Sequence, residues 1–332
     1  YKIPAGAGPL LRPYVEAGSK FFVAKVDPSK VKIEAHGTEK RAALSPLRFH
    51  YDSEEFSLPI RLGMANSSGK QDLIVNIISA NKRYEVANYK NVVIPTNFDV
   101  KPTVKTRFAE FYAALFDKTI EANPGAVVTE YAWAASPSLG KCDPCPPEPP
   151  MDADMITVGG DIVGGTIAQG TYVLTRLHAR YGRGDMKDDL RFREGKPIVG
   201  GREMWGKQGL EYGAQPSTLN NFQARYAVRH TWTGPIRCAN PQRGIWGGPP
   251  DGNHQALQMA SKTAFAPRGK LELASVIKRD LTEINVKRAS QPSKPKFSTP
   301  PAGTPTKAMS VGAGALVGGL LLGLFAWVQR RK

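Results

Sequence analysis

Alternation of hydrophobic and polar residues is the dominant pattern along the first 290 positions, and it predicts β-strands. Three runs are long and are bounded by turn-forming residues: 71–79 (QDLIVNIIS), 127–133 (VVTEYAW) and 172–181 (YVLTRLHARY). In 108–120 the apolar positions recur every three and four residues instead, which predicts one main helix near 103–122. The pattern therefore predicts a strand-rich α+β domain over residues 1–290, built from antiparallel sheets and one main helix.

Shorter runs predict the remaining elements of this domain. We expect strands at 20–26, 31–35, 56–63, 83–86, 91–94, 191–193, 197–199 and 222–230. We also expect a hairpin turn at 66–69 and a second helix over 271–284, and we interpret the apolar stripe of the main helix as core rather than as a ligand-binding face. A division into two lobes that meet near 140–165 is left open.

The C-terminal segment 311–328 (VGAGALVGGLLLGLFAWV) contains 18 residues without a charge or a proline. At about 1.5 Å per helical residue it is long enough to cross the hydrocarbon core of a bilayer. Three basic residues follow in the tail 329–332 (QRRK), and positive charge marks the cytoplasmic side of a membrane. We therefore predict a single-pass transmembrane helix with a cytoplasmic C-terminus. The bulk of the chain is then expected outside the cytoplasm, in the periplasm or at the cell surface.

Two further features bear on the ends of the domain. The segment 291–310 is rich in proline, serine and threonine, so we expect an extended tether between the domain and the transmembrane helix. The chain starts at Tyr1 rather than at a methionine, so we expect either a cleaved signal peptide or a truncated start ahead of it.

Four glycines in the predicted transmembrane helix have a spacing that favours helix packing: Gly314, Gly318, Gly319 and Gly323. They form two pairs four residues apart, and small residues at this spacing let two helices approach closely in lipid. The alternative is a helix that tolerates glycine without a partner. The expected partners are thus the lipid bilayer and, on the first interpretation, another transmembrane helix or a membrane complex.

The chain is basic, with 45 lysines and arginines against 29 acidic residues and a net charge of +16. The charges are mixed along the domain, and only the segment after residue 290 is basic without acidic residues. No run of five or six like charges occurs, which argues against nucleic-acid binding. A basic surface outside the cytoplasm instead favours contact with anionic lipid headgroups or envelope polymers.

Three cysteines allow several interpretations: Cys142 and Cys145, in a proline-rich loop, and Cys238. We favour a structural disulfide, either between the first two or from one of them to Cys238, because an oxidising compartment promotes disulfides. Prolines beside the motif exclude the clean helix start that a thioredoxin-like redox site needs. A zinc site of all three cysteines with His230 is the less favoured alternative, because its second half lacks paired ligand spacing.

Four arginines occur at near-alternate positions on two predicted strands: Arg176, Arg180, Arg225 and Arg229. If the strands are adjacent, these side chains share one sheet face and can bind an anionic partner through bidentate contacts. The favoured alternative is a solvated face neutralised by Asp188, Asp189, Glu203 and Glu211. No hydrolase elbow, zinc-protease motif or phosphate-binding loop occurs, so no catalytic residue is assigned.

Several segments together resemble one known family: 56–63 (FSLPIRLG), 81–97 (NKRYEVANYKNVVIPTN), 129–133 (TEYAW), 142–146 (CDPCP), 175–181 (TRLHARY), 221–226 (NFQARY) and 243–250 (RGIWGGPP). The resemblance, which spans about residues 1–255, is to domain-of-unknown-function family 2330, exported proteins found mainly in myxobacteria and relatives. It implies an exported protein with a C-terminal anchor and no assigned activity. Many relatives end in a Cys-bearing sorting tail, whereas this chain has no cysteine near its anchor.

These observations favour a membrane-anchored extracytoplasmic protein of the cell envelope, with a binding or structural role and no cofactor. The glycine spacing adds the expectation of an accessory subunit in a membrane complex. The alternative function is a cell-surface enzyme or a thiol-redox protein that uses the Cys-x-x-Cys loop.

Overall fold

The structure is a computed structural model that describes residues 6–23, 27–36, 39–43, 47–48, 50–67, 69–135, 152–163, 165–182, 184–204, 209–229, 234–240 and 268–290. The chain divides into two compact units, Tyr1–Ala289 and Ser290–Lys332. All elements below belong to the first unit.

The described residues are rich in short strands and contain a few helices. The helices are α1 (Gly8–Glu16), α2 (Phe108–Ala122), α3 (Asp152–Thr157), α4 (Gly160–Val163), α5 (Gly165–Ala168) and α6 (Leu273–Val276). The strands are β1 (Lys32–His36), β2 (Glu39–Ala43), β3 (Ser57–Leu58), β4 (Gln71–Ser79), β5 (Arg83–Val86), β6 (Asn91–Val93), β7 (Phe98–Val100), β8 (Val127–Ala135), β9 (Tyr172–Tyr181), β10 (Leu190–Gly195), β11 (Ile198–Gly200), β12 (Glu203–Met204), β13 (Gly209–Leu210), β14 (Ala214–Pro216), β15 (Asn221–Gln223) and β16 (Tyr226–Val228). The predicted strand-rich α+β class is therefore confirmed.

The three long alternating runs of the sequence form the centre of a seven-stranded sheet. Its strand order is β14-β11-β15-β8-β9-β4, and β6 pairs with the first half of β8. β9 pairs antiparallel with β4 on one side and with β8 on the other. The expected antiparallel arrangement thus holds for the long strands, but three short pairs are parallel: β6 with β8, β11 with β15, and β7 with β16.

The main sheet is covered on both faces. On one face α2 packs against the sheet through Phe111, Leu115, Phe116 and Ile120, in a core that also contains Val128 of β8. On the other face a small sheet of order β3-β10-β5 contributes to a second core with the apolar residues of β4 and β9. The layers are therefore helix, main sheet and small sheet.

The main helix lies where the sequence predicts it. A 3-10 turn, Pro102–Thr106, leads into α2 (Phe108–Ala122). Pro124 and Gly125 follow its end, and Gly125 adopts a positive φ of 71°, a conformation that glycine tolerates best. The predicted apolar stripe is largely core, but Phe108 is 40% exposed and belongs to a surface cleft instead.

Several shorter predictions are wrong. Phe21, Phe22 and Val23 are 47–78% exposed instead of packed in a sheet, whereas the apolar residues of 271–284 are buried in irregular turns. In the predicted strand 20–26, residues 20–23 have no regular structure and 24–26 lie outside the described residues. In 56–63 only Ser57–Leu58 form a strand, which pairs with β10, so 66–69 is not a hairpin turn. The predicted helix over 271–284 contains only the single turn α6 and a 3-10 turn at Thr282–Ile284.

The predicted strand 222–230 is interrupted. Its residues form β15 and β16, which pair with different strands, β8 and β7. The two-residue break between them contains Arg225, whose backbone N–H donates to the Thr96 hydroxyl 2.8 Å away instead of continuing a ladder. The chain thus crosses from one sheet to another at this point.

In the part of the chain that the structure describes, no helix has both the length and the apolar character needed to cross a bilayer. The predicted transmembrane helix (311–328) and tether (291–310) lie outside those residues. The same applies to the four glycines assigned to helix packing: Gly314, Gly318, Gly319 and Gly323.

Candidate functional site

Polar side chains occupy the face of the main sheet that α2 covers. Arg176, His178 and Arg180 alternate along β9 and therefore lie on one face. The His178 ring stacks on Phe116 of α2, with ring centroids 3.6 Å apart and planes at 12°, so this face is the helix side. In the register of β4, Asp72 lies opposite Arg180. Polar groups beneath a helix are costly unless they are paired, so their partners define the site.

A β-bulge brings a buried carboxylate into this face. Thr129 lies opposite Leu177 and Tyr131 opposite Arg176, so Glu130 is the extra residue of β8. A bulge re-aims the side chain at the irregularity. The Glu130 side chain is 4% exposed, its Oε1 lies 2.7 Å from His178 Nδ1, and its Oε2 lies 2.9 Å from Arg176 Nε. The Arg176 contact is an ion pair without a well-aimed hydrogen bond.

Two further carboxylates complete the arrangement on the far side of His178. Asp72 Oδ1 lies 3.3 Å from His178 Nε2, and Asp72 Oδ2 lies 2.7 Å from Arg268 Nη2. Asp117 of α2 pairs with the same Arg268 and, at 3.4 Å, with Arg180. We call this group the polar network; its members are Asp72, Asp117, Glu130, Arg176, His178, Arg180 and Arg268. It is electrically neutral when His178 is neutral.

The network charges shift the pKa values of its members. Burial alone would lower the pKa of His178, but its hydrogen bonds to Asp72 and Glu130 outweigh burial and raise it. Burial opposes ionisation of both of these carboxyls, yet the His178 contact and nearby arginines hold their pKa values below the ordinary range. Burial raises the pKa of Asp117 more than its arginine partners lower it. The two carboxylates therefore favour the protonated form of His178.

An open cleft of about 320 Å³ lies beside the network, between α2 and the sheet. We call it the α2 cleft; the lining residues used below are Asn76, Phe108, Tyr112, Tyr131, Arg176 and Gln223. Phe108 and Tyr112 of α2 stack on each other at 5.9 Å, and Tyr131 of β8 stacks on Trp133 at 5.9 Å. The cleft thus combines aromatic surfaces with amide and guanidinium groups, which suits it to binding a ligand.

A second cleft, of about 330 Å³, opens at the other end of the network. Its charged groups are already engaged with each other: Arg180 with Asp117 at 3.4 Å, and Lys70 with Asp185 at 3.2 Å. These groups offer less to a ligand than the α2 cleft does, because binding there would have to replace existing ion pairs.

The four arginines that were candidates for a shared anion-binding face do not lie together. Arg176 and Arg180 belong to the polar network, whereas Arg225 donates to Gly201 O at 3.0 Å and Arg229 donates to Asp99 Oδ1 at 2.7 Å. The condition of adjacent strands is not met, because β8 lies between β9 and β15. The acidic partners also differ from those expected: Glu211 pairs with Arg202, and Asp189 pairs with Arg61.

The cysteine predictions fall mainly outside the described residues, which exclude Cys142, Cys145 and His230. Cys238 is described, and its thiol is exposed and free there. Among the described residues no group of three or more His, Cys, Asp or Glu side chains is arranged to hold a metal ion. A disulfide that includes the proline-rich loop stays a prediction.

Sequence reasoning assigns Phe108 and Tyr112 to the core and gives no role to Asp72, Asp117 or Glu130. One usable signal exists in β9, where Arg176, His178 and Arg180 alternate with apolar residues that are buried on the other face. The matching polar positions of β4 become meaningful only once the register is known, and a bulge at Glu130 leaves no trace in the sequence.

The fold and the cleft define this chain as a strand-rich α+β domain with a ligand-sized cleft under its main helix. It belongs to the family described as "Uncharacterized protein conserved in bacteria (DUF2330)", whose model matches residues 1–193. The match covers α2, β4, β8 and β9, and so every member of the polar network except Arg268. No curated protein and no solved structure matches the chain.

Proposed function

We propose that the chain is an extracytoplasmic binding protein of the cell envelope, anchored by residues 311–328, which holds its ligand in the α2 cleft. In the membrane it would serve as an accessory subunit that presents this cleft outside the cytoplasm. The single observation that carries the binding role is the placement of Arg176. Its guanidinium lines an aromatic-walled cleft and is held there by the buried Glu130.

Binding suits the cleft better than chemistry does, because the titratable groups beside it are covered. His178 is the network's natural proton carrier, yet it is 8% exposed and its ring lies under Phe116. Both of its ring nitrogens are engaged, by Glu130 and Asp72. Such a histidine positions its neighbours and does not reach a substrate.

The membrane location rests on the sequence. The segment 311–328 is long and apolar enough to span a bilayer, and the basic residues after it favour a cytoplasmic end. The proline-rich 291–310 would keep the cleft away from the membrane surface. The net charge of +16 favours anionic components of the envelope as partners.

A comparative pull-down from native membranes tests the binding role. The full chain is purified in mild detergent, and co-purifying proteins, glycans and lipids are identified by mass spectrometry. Phe108→Ala removes an aromatic wall of the cleft, so it should lose the component that the unaltered chain retains. Tyr212→Ala removes a similarly exposed aromatic ring outside the cleft and should retain it.

Both variants are first checked for an unchanged thermal unfolding midpoint, so that misfolding does not imitate a lost contact. If all three proteins retain the same set of components, the α2 cleft is not the binding site. If no component is specific to the unaltered chain, the binding role itself is contradicted.

A further inference from the structure

The floor of the α2 cleft is a row of side chains that crosses four neighbouring strands. Asn76 of β4 lies opposite Arg176 of β9, which lies opposite Tyr131 of β8, which lies opposite Gln223 of β15. Neighbouring strands are about 4.8 Å apart, so the row extends over roughly 14 Å. All four residues line the cleft. A ligand that contacts the whole row must therefore be extended, and it must run across the strands.

Arg176 gives this row a prearranged site for a carboxylate. Its Nε lies 2.9 Å from the buried Glu130, and this ion pair restrains the guanidinium at the cleft. Among the described residues its two Nη atoms have no hydrogen-bond partner, and its side chain is 40% exposed. A guanidinium binds a carboxylate through two parallel hydrogen bonds. Because the ion pair already restrains the group, less conformational entropy is lost when the ligand binds.

Gln223 adds a second requirement. Its Oε1 is buried and has no hydrogen-bond partner among the described residues. A buried acceptor without a donor is unfavourable, and a ligand hydroxyl or N–H would satisfy it. The ligand therefore carries a donor group at some distance from its carboxylate, at the far end of the row.

The aromatic residues define the shape of the part of the ligand that lies between its carboxylate and its donor group. Phe108 and Tyr112 provide rings from α2, and Tyr131 provides a ring from the sheet. Flat rings with a polar edge suit a ligand that is apolar on its faces and hydroxylated at its rim, as a pyranose ring is. A lipid chain would need a continuous apolar groove, whereas this row has amides at both ends. The charge of the chain also favours a polyanion.

We propose that the α2 cleft binds an acidic polysaccharide segment, in which a carboxylate on a pyranose ring pairs with Arg176, a neighbouring hydroxyl donates to Gln223 Oε1, and the ring faces stack on Phe108 and Tyr131. This ligand class deepens the binding role proposed above and rests on it. The recognised unit is a uronic acid with at least one linked sugar.

Isothermal titration of the full chain in detergent with defined probes tests this assignment. The probes are trigalacturonate, its methyl ester, neutral maltotriose, and an N-acetylated dipeptide with a free carboxylate. Trigalacturonate should bind, and esterification should weaken binding about 10- to 100-fold, because a charge-assisted hydrogen-bond pair is lost. Neutral maltotriose should bind as weakly as the ester.

Three variants separate the cleft from general electrostatics. Arg176→Gln should weaken trigalacturonate binding about 10- to 100-fold, and Arg176→Lys should lie between it and the unaltered chain, because lysine keeps the charge without the planar fork. Arg193→Gln removes an exposed arginine of the small sheet, which pairs with Glu85 of the same sheet and lies outside the cleft. This variant should leave the affinity for trigalacturonate unchanged.

Gln223→Met provides a readout that a purely structural role would not produce. It should weaken binding and yet leave the free protein as stable as before or slightly more stable, because a buried unpartnered acceptor is removed. A variant that loses stability and binding together would contradict the role of Gln223 as a ligand acceptor.

Other outcomes overturn the assignment in distinguishable ways. Binding of the dipeptide without trigalacturonate would replace the sugar by a peptide carboxylate. Equal binding of trigalacturonate and its ester would remove the role of Arg176. If no probe binds while the native component of the pull-down still depends on Phe108, the ligand class is wrong and the binding role stands; if both fail, both proposals fall.

Discussion

Glu130 is the residue on which the polar network depends most, and Glu130→Gln tests this directly. Gln has nearly the same size, so the substitution removes the charge and changes the packing little. The side chain is 4% exposed and contacts His178 at 2.7 Å and Arg176 at 2.9 Å. The variant leaves the Arg176 guanidinium and the His178 ring beside an uncharged amide.

Removal of one partner from a buried ion pair typically costs about 3–5 kcal/mol, because the remaining charge is buried without compensation. Arg176 is partly exposed and recovers some hydration, so we expect the lower half of that range, about 3–4 kcal/mol. Domains are commonly stable by about 5–15 kcal/mol, so the variant should still fold. Urea unfolding, followed by far-UV circular dichroism in one detergent throughout, measures the difference.

Glu121→Gln is the matched control for this experiment. Glu121 lies on α2 as an exposed partner of Lys118, at 2.6 Å, and its side chain is 67% exposed. Loss of such a surface pair should cost less than about 0.5 kcal/mol. If Glu130→Gln also costs less than about 1 kcal/mol, which is within the range of exposed pairs, then Glu130 does not hold the network by its charge and the reasoning is refuted.

Three further predictions concern titration, packing and topology. The raised folded-state pKa of His178 means that its contribution to stability is complete below its unfolded value of about 6.5 and is lost as pH rises through the higher folded pKa. In His178→Gln the free energy of unfolding, measured with urea, should therefore fall less between pH 6 and 9 than it does in the unaltered chain. An unchanged dependence of this free energy on pH would contradict the assignment. Gly200→Ala should lower the free energy of unfolding by about 1–3 kcal/mol, because a Cβ there would lie 2.7 Å from the Gly213 carbonyl oxygen, whereas Gly184→Ala, with open space around it, should change little. Deletion of 311–332 should release the domain, folded, into the soluble fraction; precipitation, or retention on membranes after a salt wash, would count against the anchor.

The parts of the fold that could be predicted from sequence are those where one face is buried and the other is not. β4, β8, β9 and α2 are long enough for a period of two or of 3.6 to be visible, and their bounds follow the patterns closely. The segment 271–284 shows why the rest could not be predicted. It contains as many apolar residues as an amphipathic helix would, but these residues are buried in irregular turns against α2.

The candidate site was less predictable than the fold, because it depends on register and on one irregularity. Alternation along β9 identifies Arg176 and His178 as neighbours on one face, but it does not say which strand lies beside them. Adjacency of β8 brings Glu130 and Tyr131, whereas sequence reasoning considered only the strand that carries Arg225. The bulge that turns Glu130 inward follows from the pairing of β8 with β9 and from no local pattern.

The bulge also explains why a polar network and a cleft occur side by side. One oxygen of Glu130 contacts His178 beneath α2, and the other contacts Arg176 at the edge of the cleft. An apolar helix-facing surface of the same volume would commonly be at least as stable, since buried ion pairs repay their desolvation poorly. Departures from the expected hydrophobic pattern tend to occur at functional sites. Here the departure restrains a guanidinium, before any ligand arrives, at the middle of a row that ends in an amide oxygen without a partner among the described residues. A cation held beside aromatic rings is of little use to the core but is what recognition of a carboxylate on a ring requires.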